Sequence, residues 1–311
     1  MELIVEGKGS FLGKHQGRLR VMQERKTITE VPLIHLKQVI IVDGGVSISS
    51  DVIRTCSEEG IPIYFLSGRE GKMGIAAAKA FVTGKLANQG NLLRYMAKYR
   101  KETNPALYEE LMLVAVEMRD YLHELEQLNA EKIDDIREQM LSVEGRAAQR
   151  YWAMVGRIIP GELAWPGRET QGATDLFNAA LNYGYGVLYG RIEHALTLAG
   201  LDPFGGFLHT DRPGKPSLVL DCIEEFRQTI VDRTIIGLVN KHVPLQQDEQ
   251  GLLTEATRRK IAEKITERLE SSETYEKKRQ ALRFILQSQA RHLALFLRND
   301  RPHYEPFVAG W

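Results

Sequence analysis

Short apolar runs rich in Val and Ile, separated by Gly-containing turns, fill the first 75 or so residues. This pattern predicts strands at Glu2–Val5, Arg18–Met22, Gln38–Val42 and Ile61–Leu66. One helix interrupts them: Ser49 or Ser50 can cap it, Asp51 favours its first turn, and Gly60 sits where a glycine ends a helix. After Gly74 the apolar period lengthens to i, i+3, i+4, i+7, predicting helices over 76–101, 105–129 and 131–158. Pro160–Gly172, with two prolines and three glycines, reads as a loop. Thr174 or Asp175 then opens a helix to about Ala199, closed by Gly200. The stretch LDPFGGFLHTDRPGKP is again loop-like, and Ser217 or Asp221 starts another helix to about Val239. Two long helices near 254–270 and 273–298 precede an extended tail, RPHYEPFVAGW. The fold class is therefore α+β: a small β-rich domain over 1–75 followed by a larger all-α domain over 80–311, with no internal repeat.

A chain of 311 residues has ample material for a core, in one large or two moderate domains. Its 43% hydrophobic and 26% charged content is that of a soluble globular protein. Cys56 and Cys222 are too few for a disulfide framework and form no C-x-x-C pair, which fits a reducing cytoplasm. No signal peptide is evident at the amino terminus, and no segment approaches the roughly 20 apolar residues that span a bilayer, so no membrane is expected. The 41 basic and 41 acidic side chains cancel, which counts against nucleic-acid binding until their placement is seen. Lys79–Lys101 holds six basic residues and no acid; Glu102–Gln139 holds eleven acids against three basic residues; Arg258–Arg301 holds twelve basic residues and six acids. Such blocks permit a phosphate-binding surface on a neutral protein. GKGSFLG has the spacing G-x-G-x-x-x-G and reads as a hairpin turn rather than a dinucleotide fingerprint. A phosphate loop, H-E-x-x-H and G-x-S-x-G are all absent, so serine and cysteine nucleophiles have no support.

The residues with the most chemistry to offer are Glu144, in LSVEGRAAQRYW, His209, which ends GFLH, and Asp221 and Glu224, in the helix that follows. One imidazole with two or three carboxylates is a ligand set for a hard divalent cation, Mg²⁺ or Mn²⁺. Asp221 and Glu224 are three positions apart and share one face of a helix. Arg212, Lys215 and Arg227 flank them and could neutralise phosphates; Tyr183, Tyr185 and Tyr189 lie on the preceding helix. On residue type alone, a solvated glutamate and a structural histidine are the commoner readings.

Two segments decide more. VEGRAAQRYW, and DLFNAALNYGYGVLYGRIEHALTLAGLDPFGGFLHTDRPGKPSLVLDCIEEFR with its D-x-x-N, tyrosine-bearing helix, Gly-Phe-x-His turn and D-x-x-[DE] helix, resemble the CRISPR-associated spacer-acquisition integrase family. These are the larger of the two proteins that insert new spacers into CRISPR arrays. The likeness runs over nearly the whole chain, including Ile61–Pro62 near the end of the β-domain. It implies that Glu144, His209 and Glu224 are catalytic metal ligands, with Asp221 supporting them or holding a second ion and Tyr189 near the site. Some members carry Asp at the third ligand position, one methylene shorter than Glu224. The resemblance further implies DNA substrates (a spacer precursor and the CRISPR repeat), a homodimer built through the β-domains, and a small ferredoxin-like companion protein. Two other functions stay open on the residues: a metal-dependent nuclease that does not integrate, and a non-enzymatic nucleic-acid-binding scaffold.

Overall fold

The structure is a computed structural model that describes all residues except 8, 25, 43–45, 67–69, 171, 210–214 and 311. It divides into two compact units, Met1–Gly71 and Lys72–Trp311. In chain order the first contains β1 (Glu2–Val5), β2 (Phe11–His15), β3 (Arg18–Gln23), β4 (Lys26–Pro32), β5 (Gln38–Val42), β6 (Ser47–Ile48), α1 (Ser50–Glu58) and β7 (Ile63–Leu66). The parallel strands β1-β5-β7 form one sheet, and β4-β3-β2-β6 form the other. Alternation does the sorting: Leu3 and Val5 of β1 and Val39 and Ile41 of β5 are buried. They share a core with Leu12, Leu19, Val21 and Val31 from the second sheet and Val52 and Cys56 from α1. The Ser49 hydroxyl accepts the Val52 N–H at 3.4 Å to start α1, and Gly60, at φ 66°, follows its end.

Strands β1 and β5 have the predicted bounds, β3 runs one residue further, and β7 begins at Ile63 rather than Ile61. Strands β2, β4 and β6 were outside the prediction. β4 reads KTITEVP and buries only Val31, so the apolar pattern carries almost no trace of it. GKGSFLG is not a hairpin turn. The Gly7 carbonyl does accept the Ser10 N–H at 3.2 Å, but the turn passes the chain from one sheet to the other.

The second unit is helical: α2 (Glu70–Lys98), α3 (Pro105–Gln127), α4 (Arg137–Ile158), α5 (Leu176–Leu198), α6 (Ser217–Cys222), α7 (Arg233–Asn240) and α8 (Glu255–Glu270), then β8 (Ser272–Tyr275), β9 (Lys278–Ala281) and α9 (Leu282–Leu297). Helix α5, capped by the Asp175 carboxylate on the Asn178 N–H (2.8 Å), is apolar almost all round and packs against α6, α7, α8 and α9. Gly184 permits this. A Cβ there would lie 2.7 Å from Val231 Cγ1 and 3.1 Å from Ile265 Cδ1. The acids of the 102–139 block find partners on the next helix: Glu124 with Arg146 (2.6 Å), Glu117 with Arg150 (2.7 Å) and Glu110 with Arg157 (2.8 Å). One number rises as the other falls, so α3 and α4 run antiparallel.

Two helix predictions need correction. The helix expected over 273–298 begins only at Leu282; residues 272–281 are the hairpin β8–β9. The helix expected from Ser217 to about Val239 leaves the α pitch after α6, passing through a 3₁₀ turn at Ile223–Glu225 and a π-helical turn at Arg227–Asp232 before α7. The tail is extended as predicted, with Tyr304, Phe307 and Ala309 buried.

Candidate functional site

Helices α2 and α4 and the 217–232 segment run together in the second unit, and their polar positions meet. Glu144 lies on the buried face of α4, 8% exposed; Glu224, 4% exposed, sits in the 3₁₀ turn after α6. Between them lies the ammonium of Lys85 from α2. It donates to Glu144 Oε1 and stands 2.8 Å from Glu224 Oε2. Arg227 Nε approaches the other oxygen of Glu224 at 3.0 Å. Burial penalises the Lys85 charge, but Glu224 and Glu144 outweigh it and raise its pKa. Burial likewise opposes the Glu224 charge, and Arg227 and Lys85 overcome it, so the carboxyl stays below its usual range.

His209 lies near enough to this group to feel the charges of Glu224 and Glu144, and its ring is held by Asp221, which is fully buried. One carboxylate oxygen of Asp221 accepts the Phe207 and Leu208 N–H groups at 2.6 and 3.0 Å. The other accepts the His209 N–H at 3.0 Å and faces Nδ1 of the ring at 2.6 Å. Asp221 therefore fixes both the turn and the ring, and leaves Nε2 as the nitrogen free to ligate or to exchange a proton. Burial works against a charged His209, yet the hydrogen bond to Asp221 and the charges of Asp221, Glu224 and Glu144 raise its pKa above the ordinary value. The turn is tight: the Gly206 N–H donates to Ser217 Oγ at 3.0 Å, and a Cβ on Gly206 would fall 2.6 Å from Ser217 Cβ.

Of the other sequence candidates, Lys215 is exposed, Tyr189 packs half-buried against the core, and Arg212 lies outside the described residues. The tyrosine joined to the cluster is Tyr185. The Arg227 guanidinium lies 4.5 Å from its ring centroid, and its hydroxyl donates to Asp232, which also accepts from Tyr151 at 2.7 Å. Burial pushes the Asp232 carboxyl up to about 6, despite its tyrosine hydrogen bonds and the nearby Arg227 and Arg168 charges. Lys85, Asp232 and Tyr151 were not candidates from the sequence. Lys85 was one lysine in a basic block; only the alignment of α2 with α4 shows its role.

The segments bearing Lys85 and Glu224 are braced by the tail. Asn88 Nδ2 donates to the carbonyls of Glu225 (2.9 Å) and Phe307 (2.8 Å), and Asn88 Oδ1 accepts the Ala309 N–H at 2.8 Å. Glu225 accepts from the Tyr304 hydroxyl, from the Phe307 N–H at 2.8 Å and from Gln289 at 2.9 Å.

Among the described residues no three His, Cys, Asp or Glu side chains stand together as a metal-ligand group. The donor chemistry nonetheless fits a divalent cation. Glu144 and Glu224 already converge on one positive charge, and the buried Glu224 Oε2 has no well-aligned hydrogen bond. No helix among the described residues is long and apolar enough to cross a membrane.

Comparison with known proteins narrows the chemistry. The sequence profile of the family described as CRISPR associated protein Cas1 matches residues 3–77 and 69–267. The chain is 35% identical to the CRISPR-associated endonuclease Cas1 1 of Archaeoglobus fulgidus, with all of both chains covered. It is 30% identical to a CRISPR-associated endonuclease Cas1 of Francisella tularensis subsp. novicida, covering 99% of each. Among solved structures, a casposase bound to integration product superposes with TM-score 0.65 at 21% identity, covering 98% of this chain and 92% of that one. A Cas6-RT-Cas1–Cas2 complex gives TM-score 0.62 at 18% identity over 99% of this chain and 36% of the other.

Proposed function

The chain belongs to the Cas1 family of CRISPR-associated proteins, and from that premise we propose that it is a metal-dependent DNA endonuclease and integrase, which inserts DNA fragments into a CRISPR array by phosphoryl transfer. The observation that carries this reading is the buried pair Glu144 and Glu224, drawn to a single cation beside a histidine whose ring Asp221 orients.

The 3′-hydroxyl oxygen of an incoming fragment forms a new bond to phosphorus, and the bond from phosphorus to the 3′-oxygen of the repeat strand breaks. The attacking hydroxyl gives up its proton to solvent and the leaving 3′-oxygen takes one from it. Nε2 of His209, with Nδ1 committed to Asp221, is the ring nitrogen left to ligate a metal ion. Arg227 supplies positive charge for the phosphoryl oxygens, with its side chain steadied by the Tyr185 ring. Glu144, Glu224 and His209 would hold a Mg²⁺ or Mn²⁺ ion in place of the Lys85 ammonium, and such an ion lowers the nucleophile's pKa and stabilises the charge on the phosphoryl group. Lys215 and Arg212, which flank the ligand set in sequence, would neutralise DNA phosphates. A second Cas protein of the kind in the Cas1–Cas2 assembly is the partner, the small ferredoxin-like companion, and the β-rich unit makes the homodimer.

The test is the joining of a labelled DNA fragment to a plasmid carrying a CRISPR repeat, in Mg²⁺ and in Mn²⁺. Glu144→Gln, His209→Ala and Glu224→Gln should each lose joining and cleavage by more than about a hundredfold while keeping the native circular dichroism spectrum. Wild-type rates in all three variants would overturn the assignment. Cleavage without joining in the wild type would reduce it to a nuclease.

A further inference from the structure

Tyr99 lies fourteen residues beyond Lys85 on the path of α2, about 21 Å along a helix. There the end of α2 and helix α7 bound an open cleft of about 730 Å³, a volume typical of ligand sites. Its lining includes the cations Arg100, Arg233 and Lys241 and the rings of Tyr95 and Tyr99, and among the described residues none that lines it is a carboxylate. The charges are held in place: Arg100 donates to the carbonyls of Met96 (2.8 Å) and Ile158 (3.3 Å), and Arg233 pairs with Glu273 behind the cleft at 3.3 Å. Lys241 is exposed.

The two rings differ. Arg233 covers Tyr95, with its guanidinium 4.3 Å from the ring centroid. Tyr99 stands edge to face with Tyr95, centroids 5.5 Å apart, donates its hydroxyl to the Tyr95 oxygen at 3.3 Å, and is 67% exposed. A large aromatic ring fixed in water beside three cations suits a flat ligand that carries negative charge.

We propose that this cleft binds a nucleobase together with its phosphate, the base stacking on Tyr99 and the phosphate facing Arg100, Arg233 and Lys241. The same chemistry is offered by a free nucleotide and by a single strand of nucleic acid. A paired, stacked duplex hides its base faces and does not offer it. The site is separate from the carboxylate cluster and needs no metal.

The experiment is fluorescence anisotropy of a labelled five-nucleotide single strand with the full-length protein in EDTA, with unlabelled dAMP and a blunt duplex as competitors. Tyr99→Ala and Lys241→Ala should each weaken binding by about tenfold. Tyr99→Phe should bind like the wild type, because stacking uses the ring and not the hydroxyl. Displacement by dAMP would show that free nucleotides enter, and failure of dAMP would restrict the site to strands; both uphold the proposal. Wild-type binding in Tyr99→Ala and Lys241→Ala overturns it, as does equal competition by the duplex or loss of binding in Tyr99→Phe. Both altered side chains are exposed, so circular dichroism should confirm an intact fold. Strand joining is not read in this assay, so its outcome is independent of the carboxylate chemistry.

Discussion

Asp221 is the residue on which the site's geometry turns. Its two oxygens accept three backbone N–H groups and face the His209 ring, a load that an amide with one acceptor oxygen cannot carry. Asp221→Asn should therefore cost about 2 kcal/mol in thermal or denaturant unfolding and lower strand joining more than the loss of stability explains. Retention of both would show that the turn holds itself. Asp232 makes a different kind of prediction. Its carboxyl titrates at 3.8 unperturbed and at about 6 when folded. Between those values the folded state keeps a proton that the unfolded state has released, so stability falls as pH rises from about 4 to about 6, by about 3 kcal/mol in total, and this contribution is level above that window. Melting curves of wild type and Asp232→Asn across this range check the sign: the variant lacks the titrating group and should show a flatter profile, whereas parallel profiles would refute it. At this scale the sequence was partly legible. The family pattern marked Glu144, His209 and Glu224. No spacing rule could mark Lys85, Tyr151 or Asp232, because they meet the site only through the packing of α2, α4 and the 217–232 segment.

Among the elements, α5 is the most constrained. Gly184 lets it pass so close to Val231 and Ile265 that a single methyl group has no room. Gly184→Ala should cost about 1–3 kcal/mol, and the added change Val231→Ala should recover part of it, as unfolding of the single and double variants will show. A double variant no more stable than the single one would mean that the clash lies elsewhere. Most helices were legible because their apolar period and caps agree, as at Asp175 and Thr254. The β8–β9 hairpin was not. Glu276 and Lys277, at φ 47° and 64°, form its two-residue turn, a conformation usually signalled by Asn-Gly or Asp-Gly. With neither present, the flanking polar residues carried no turn signal, and the helical period of α9 was extended back over them.

For the whole molecule, the α+β division follows from the change of apolar period after the first strands, and the family pattern spans both parts. The first unit leaves Ile4, Ile28, Ile34 and Ile53 exposed, with Ile28 on the edge strand β4. A second copy would cover such residues and protect the strand edge. Sedimentation at micromolar concentration should find a dimer, and the double variant Ile28→Glu, Ile34→Glu should be monomeric. A dimer that persists in the variant would place the interface on other residues. The tail braces the segments of Lys85 and Glu224 from a distance in sequence: Phe307 binds Glu225 across 82 positions, and Ala309 binds Asn88 across 221. On a ribosome moving at about 5–20 residues per second, those partners emerge at least about four seconds after Glu225. Until then, a nascent chain that already carries Glu144, His209 and Glu224 lacks the strap that braces the segments of Lys85 and Glu224, so the carboxylate cluster gains its support only once the tail has emerged.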